Sequence, residues 1–487
     1  MLLTDFLLLN YKRCQRRAFL DVYGNPSQRD AERDFLLKLR QENQIHIQST
    51  LEKFYPHYQQ VRPLANDWAS KAQATEALMK QGVHCIYQGT IFLQNLPTNR
   101  IFPTDESFYC LGNPHLLVRQ PGESKFGDWF YRPVSIHLGR RPKPEYKIVA
   151  AFYSHLLGYL QDIPLPIPIL ILREHNPYIV DLSQWFVKLE DTVIECVTML
   201  SQEEEPEVFI SRQRCSLCHW HNHCYTIAQS QQHLSLVPGV TPSRYQSLQE
   251  MGLMTVESLA GACPTNMGEV IGTEVANQLQ QQAQAIVENR PIRKSQFKDN
   301  IHTLIPTAKV EFYFDIEAEP ERNLDYLLGI LRVERPSQTQ TFHPFLAETP
   351  EAEGEIWLEF LNLVESEENA PIFHFSEYEV ETIKRLGKLY KTPPKQIERL
   401  LSRFVDLHAR VITCVILPVE SYSLKSLANS LGFHWRDPGM GGDQCVCWYD
   451  QWLKTSDQTF LASILRYNED DCRATFHLKN WLLEFLG

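Results

Sequence analysis

At 487 residues the chain is longer than one ordinary core supports, so two or three domains are expected. With 43% hydrophobic and 22% charged residues it is globular, and a formal net charge of -12 excludes attachment to nucleic acid or membrane by bulk electrostatics alone; only local basic patches or bound metal ions reverse that sign. Twelve cysteines in so long a chain suit reduced thiols or metal ligands better than a disulfide framework.

The first residues, MLLTDFLLLNYKRC, hold an apolar run too short for a membrane span and interrupted by Asp5. No basic residue precedes it and no small-residue cleavage site follows, so it reads as a buried helix. Elsewhere no stretch approaches about eighteen apolar residues, and a soluble, cytoplasmic protein without a membrane partner is expected. Residues 109–119 and 129–138 read as two strands joined by the turn-rich QPGESKFGD. The segment 144–161, PEYKIVAAFYSHLLGYLQ, has helical spacing; the strands IPILILRE and YIVDL and an amphipathic helix over 183–203 come next. From 234 to 292 short helices surround small loops. After a linker over 293–305 come the strands AKVEFYFDIEA, YLLGILRVE and TQTFHPF, a helix, the strand APIFHF and several helices. The expected class is therefore a multidomain α/β protein.

CSLCHWHNHC places Cys215, Cys218 and Cys224 in one short loop, where their thiolates can converge on a metal centre. Cys14, at the far end of the same domain, is the best fourth ligand. Four thiolates suit either a 4Fe-4S cluster or tetrahedral zinc, and His219, His221 and His223 offer substitute ligands for zinc. One early cysteine followed about two hundred residues later by C-x2-C-x5-C resembles the iron-sulfur RecB-type nucleases, which implies a 4Fe-4S cluster stapling the two ends of a PD-(D/E)XK fold over residues 1–230.

In that family the strands run approximately G-x-P-D-L-L-x-R and then (D/E)-x-K, because carboxylates hold magnesium and the ammonium steadies developing charge. Here Gly112-Asn113-Pro114-His115-Leu116-Leu117-Val118-Arg119 and Ser135-Ile136-His137 stand at those places. By this resemblance His115 replaces the Asp, Ser135 the acid and His137 the Lys, and Val149 and Tyr153 occupy the positions of the helical Gln and Tyr. His46 matches the early metal-binding histidine. Without hard oxygen ligands the resemblance implies a degenerate nuclease site that holds structure or nucleic acid; a repurposed imidazole site for zinc or manganese is the other possibility. Lys12, Arg13, Arg16 and Arg17 flank Cys14, and Arg140, Arg141, Lys143 and Lys147 follow the second strand, in position for phosphate contact.

VPGVTPSRYQSLQEMGLMTVESLAG, within 234–292, resembles a helix-hairpin-helix unit whose backbone N–H groups meet a phosphate, with VIGTEVANQL as a second copy. In the last domain, 300–487, VEFYFDIEAE puts Asp315 and Glu317 on one face of a strand, and RYNEDDCRAT puts Tyr467 and Asp471 on one face of a helix. This order of motifs resembles the DEDDy class of RNase H-like 3'-5' exonucleases. The resemblance implies Asp315, Glu317 and Asp471 as ligands of two magnesium or manganese ions about 4 Å apart, and Tyr467 as the residue that positions the attacking water. Glu379, after Tyr378, stands where the class carries another Asp; Asp406 is the alternate. The basic region 383–403, with Lys384, Arg385, Lys388, Lys391, Lys395, Arg399 and Arg403, is placed to line a strand's path, and Trp435 and Trp448 either stack on bases or are buried.

Taken whole, the chain resembles a prokaryotic family of RecB-like nucleases with a C-terminal exonuclease domain, which implies metal-dependent trimming of DNA or RNA. The alternative is a catalytically inactive, nucleic-acid-binding pseudonuclease.

Overall fold

The computed structural model describes residues 1–63, 65–94, 108–294 and 301–487, and it divides into two compact units, Met1–Tyr225 and Thr226–Gly487.

The first unit is built on a six-stranded mixed sheet in the order Gln59–Gln60, Cys85–Tyr87, Leu116–Ser124, Gly127–Ile136, Ile169–Ile171, Pro177–Ile179. Leu116–Ser124 and Gly127–Ile136 form an antiparallel hairpin, and the second of these runs parallel to Ile169–Ile171. A parallel pair needs a crossover, and the helix Pro144–Gln161 supplies it. Pro144 starts this helix where its missing N–H costs nothing, and Asp162 ends it in the left-handed region. Its residues Ile148–Gly158 are buried on every side, so it forms the centre of the unit.

Two expectations are corrected here. The run 109–119 is not one strand: Tyr109–Gly112 joins a three-stranded sheet with Leu2–Thr4 and Ile91–Gln94, whereas Leu116–Ser124 belongs to the larger sheet. The break falls at Pro114, which cannot donate to a ladder, while the Asn113 N–H turns to Asp5 Oδ2 at 2.7 Å. The first residues are likewise not simply helical. Leu2–Thr4 is a strand, and the Thr4 hydroxyl caps the helix Asp5–Arg13 by accepting the Leu7 N–H at 2.9 Å.

In the second unit, the helices Pro242–Glu250, Val256–Ala260, Pro264–Ile271 and Thr273–Glu288 precede a five-stranded sheet. Gly272, with φ 89°, makes the turn between the last two helices. The segment 234–292 is tied to the C-terminal domain: Gln282 Nε2 donates to Leu417 O at 2.8 Å, its Oε1 accepts the Tyr422 hydroxyl at 2.8 Å, and Ile292–Arg293 pairs antiparallel with Val415–Ile416. Thus the expected linker over 293–305 begins in a strand; its residues 295–300 lie outside the described residues.

The sheet runs Thr339–Leu346, Leu324–Glu334, Val310–Glu319, Ile372–His374, Phe404–Asp406. The first three strands are antiparallel and the last two parallel to the central one. Strand alternation sorts Val310–Glu319 into two faces. Phe312, Phe314 and Ile316 pack among Trp357, Phe360 and Ile383, each large side chain contributing about 1.5–3 kcal/mol of burial. The opposite face carries Glu311, Tyr313, Asp315 and Glu317. Among the described residues, no helix is long and apolar enough to cross a membrane.

Candidate metal centre

The polar face of Val310–Glu319 lies against the long helix Gln458–Leu486, and the two run in opposite directions. Glu311 meets Lys479, Tyr313 stands edge-on to Phe476 with ring centroids 5.1 Å apart, and Asp315 meets Asn468. From Glu311 to Asp315 the contact on the helix therefore moves back by about three turns. The upper end of this seam brings Asp315, Glu317 and Asp471 together, with one oxygen from each within 4.8 Å of the others. Among the described residues this is the one group of His, Cys, Asp or Glu side chains with such an arrangement.

Glu317 is only 5% exposed, whereas Asp315 and Asp471 are partly open. Burial, followed by the charges of Asp471, Glu317 and Glu379, holds the Asp315 carboxyl well above its usual range. Glu317 is raised by burial and by Asp471, and burial pushes Asp471 up to about 7. Carboxylates about 4 Å apart repel by about 4 kcal/mol per pair at an effective dielectric near 20. A divalent cation relieves that repulsion, and hard oxygen donors suit magnesium or manganese.

Tyr467 is one turn before Asp471 and its hydroxyl hydrogen-bonds to that carboxylate. Glu379, 4% exposed, stands in the first turn of the helix Tyr378–Leu389 and lies with Oε2 3.5 Å from His374 Nδ1. It is close enough to raise Asp315 but is not one of the three grouped carboxylates. Asp406 instead caps a helix: its Oδ1 accepts the N–H of His408 at 2.8 Å and of Ser376 at 3.0 Å. Sequence spacing had no means of showing Asn468 and Trp435 as partners of the acids. Asn468 Nδ2 donates to Asp315 Oδ2 at 2.7 Å and Trp435 Nε1 to Asp471 Oδ1 at 2.7 Å.

Several residues expected to face nucleic acid are engaged internally. Arg385 is bonded to Asp325 and Glu353, and Arg403 donates to the carbonyls of Ala370, Val364 and Glu367. Arg399 reaches Glu365 at 3.5 Å and Lys384 reaches Glu381 at 2.7 Å, while Lys388, Lys391 and Lys395 are exposed. Trp435 is buried and Trp448 half-buried against the core, so neither offers an open face for a base.

In the first unit the four cysteines approach one another: the sulfurs of Cys215, Cys218 and Cys224 all feel that of Cys14. Burial raises the Cys215 and Cys224 thiols and pushes Cys218 up to about 11. Every sulfur meets an N–H donor. Arg17 N–H reaches Cys14 at 3.4 Å and Ser211 N–H reaches Cys215 at 3.3 Å; the Trp220 N–H serves Cys218 and the Arg16 side chain serves Cys224. His219 Nε2 lies 2.6 Å from Asp21 Oδ1, His221 stacks on Tyr225 and His223 stands edge-on to Trp220.

His46, His115 and His137 also converge. His115 Nδ1 accepts the Ile136 N–H at 3.2 Å, His115 and His137 have ring centroids 6.0 Å apart, and His137 stacks on Tyr146 at 3.9 Å. Burial lowers His115 to about 4; burial, then His115, Arg13, His46 and Lys143, lowers His137 to about 3. Ser135 is buried in the strand, and the Tyr153 hydroxyl donates to Asp5 Oδ2 at 2.7 Å. Arg140, Arg141 and Lys143 lie on the exposed surface just beyond His137, with Lys143 Nζ 5.9 Å from the Tyr146 ring centre.

Residues 312–483 match a family model of the RNase H superfamily, RNase_H_2. That segment spans the central strand through most of the long helix and contains Asp315, Glu317, Glu379, Tyr467 and Asp471. The C-terminal domain is thus RNase H-like, which points to nuclease-type, metal-dependent chemistry on nucleic acid. A comparison with curated proteins finds no match.

Proposed function

We propose that the second unit is a 3'-5' exonuclease of DNA or RNA, dependent on magnesium or manganese. The observation that carries this reading is the meeting of Asp315 and Glu317, from a central strand, with Asp471, from the long helix, inside an RNase H-like domain. Divalent ions bound there supply charge stabilisation at the phosphate and an acidified water. Asp315 and Asp471, partly open, face the substrate side, and Glu317 supports them from the buried side. Tyr467, tied to Asp471, is positioned to orient a water beside that carboxylate. Glu379 supplies the fourth negative charge near Asp315, held by His374. Incubating the full chain with end-labelled DNA and RNA, with and without manganese, tests the reading: shortening from the 3' end supports it, and binding without cleavage makes the domain a pseudonuclease.

For the remainder of the chain the reading is a RecB-like PD-(D/E)XK module over 1–230 with its catalytic positions replaced by His115, Ser135 and His137, and a helix-hairpin-helix-like segment over 234–292. The hairpin, crossover helix and parallel strand of the first unit support it. Arg140, Arg141 and Lys143 would hold phosphates, and His46 would remain as a structural relic.

Cys14, Cys215, Cys218 and Cys224 fit a 4Fe-4S cluster. Four thiols, each met by an N–H donor that favours the thiolate, are the donor set such a cluster takes. Tetrahedral zinc takes the same four thiolates and is the alternative occupant.

A further inference from the structure

Asp315 and Asp471 come from different elements, yet each is held by one neutral N–H donor, Asn468 for the first and Trp435 for the second, both at 2.7 Å. Asn468 is fully buried, and its Oδ1 has no hydrogen-bond partner. It reaches Asp315 by crossing Gly329, which stands opposite Asp315 in the antiparallel register. A Cβ on Gly329 would lie 1.6 Å from Asn468 Oδ1 and 2.8 Å from its Cγ. Gly329 is not among the glycines with positive φ, so its missing side chain provides room for Asn468 and not backbone freedom.

We propose that Asn468 is a positioning residue that fixes the Asp315 carboxylate for metal binding, that Gly329 is side-chain-free to admit it, and that Trp435 does the same for Asp471. This rests on the metal-dependent reading of the site. A neutral donor orients a carboxylate through one oxygen and leaves its negative charge available; a lysine or arginine in the same place would compete with the dication. Trp435 is 6% exposed and packed in a cluster with Tyr467 and Cys445, so its indole is a fixed donor. The adjoining Arg436 binds Asp470 through its backbone N–H at 2.9 Å and its Nε at 2.8 Å, which anchors the same loop to the helix that carries Asp471.

The test is a double-mutant cycle on the full chain, with manganese affinity measured by calorimetry and cleavage rate measured alongside. Asn468→Ala should weaken manganese binding by about 10–100-fold and lower kcat, with KM for nucleic acid unchanged. Gly329→Ala should do the same alone but add nothing in the Asn468→Ala background, because the side chain it would displace is gone. Trp435→Phe, which keeps the ring and loses the donor, should also weaken manganese binding, by about tenfold or more. Unchanged manganese affinity in folded Asn468→Ala, or additive effects of Gly329→Ala and Asn468→Ala, would overturn the role of Asn468; unchanged affinity in Trp435→Phe would overturn that of Trp435. Where Asn468→Ala does not fold, Asn468→Ser retains a small donor and should fall between wild type and Gly329→Ala; wild-type affinity there, with Gly329→Ala also silent, overturns the proposal. Asp315→Asn separates the two levels. If wild type does not bind manganese, or Asp315→Asn binds it as tightly, the metal reading itself fails; if that control behaves and the cycle shows no coupling, only the positioning role falls.

Discussion

Lys479 and Glu311, both fully buried, are joined at 2.9 Å, and the same carboxylate accepts the Tyr313 hydroxyl at 2.7 Å and Arg335 Nε at 2.6 Å. Burial pushes the Glu311 carboxyl up, but these donors overcome it and hold the carboxyl below its usual range. The pair pins the strand to the helix four residues before Asp315 and eight residues beyond Asp471. Lys479→Met removes one donor while Arg335 and Tyr313 still hold the carboxylate, so urea unfolding should show a loss of about 1–3 kcal/mol. A loss below about 1 kcal/mol in Lys479→Met contradicts this.

Tyr467→Phe keeps the packing of the ring among Trp435, Cys445 and Ala474 and deletes the hydroxyl that contacts Asp471. Cleavage should slow by about 100-fold or more while manganese affinity changes less than it does in Asp471→Asn. Equal losses of both quantities in the two variants would make Tyr467 a structural partner only. Rapid-quench cleavage beside calorimetry distinguishes the outcomes.

His115 and His137 give the first unit an acid sensitivity of defined sign. Their folded values, about 4 and about 3, lie below the ordinary 6.5, so the folded form binds fewer protons than the unfolded chain between those limits. Their stabilising contribution is fully present above pH 6.5 and is lost as pH falls toward the folded values. Unfolding of the full chain between about pH 7.5 and 5, followed by a probe in the first unit, should show the decline. His137→Phe, which retains the stack on Tyr146, should reduce the slope and leave the part due to His115; an unchanged slope contradicts the assignment.

The cysteine centre is testable by colour. Anaerobically purified protein should be brown, with absorbance near about 400 nm, and Cys218→Ser should lose it together with part of the first unit's stability. A colourless protein carrying one zinc per chain would replace the cluster with zinc.

How far the sequence reaches is visible in these same residues. Strand and helix periods put Asp315 with Glu317 and Tyr467 with Asp471, since those relations are local. The meeting of the two pairs depends on how strand and helix pack, which spacing does not encode. Asn468 lies between the motif residues of YNEDD and carries no signal of its own; only the space over Gly329 reveals its path to Asp315. The bounds of Pro144–Gln161 are legible because Pro144 opens the helix and the turn after it is local. Arg385 and Arg403 look like surface cations in sequence but are claimed by Asp325, Glu353 and carbonyls brought close by the fold. His219 likewise meets Asp21, 198 residues away in the chain.

On this reading Asp315, Glu317 and Asp471 form a metal-dependent hydrolytic site. Its most direct measurement compares wild type and Asp315→Asn on end-labelled single-stranded DNA and RNA with manganese, magnesium or chelator, with nucleic-acid binding measured in parallel. Wild type should cleave, chelator should abolish that cleavage, and Asp315→Asn should lose activity well beyond the roughly 10–100-fold typical of changes around a ligand, with binding retained. Cleavage by Asp315→Asn at the wild-type rate, or none by wild type with either metal, would contradict it.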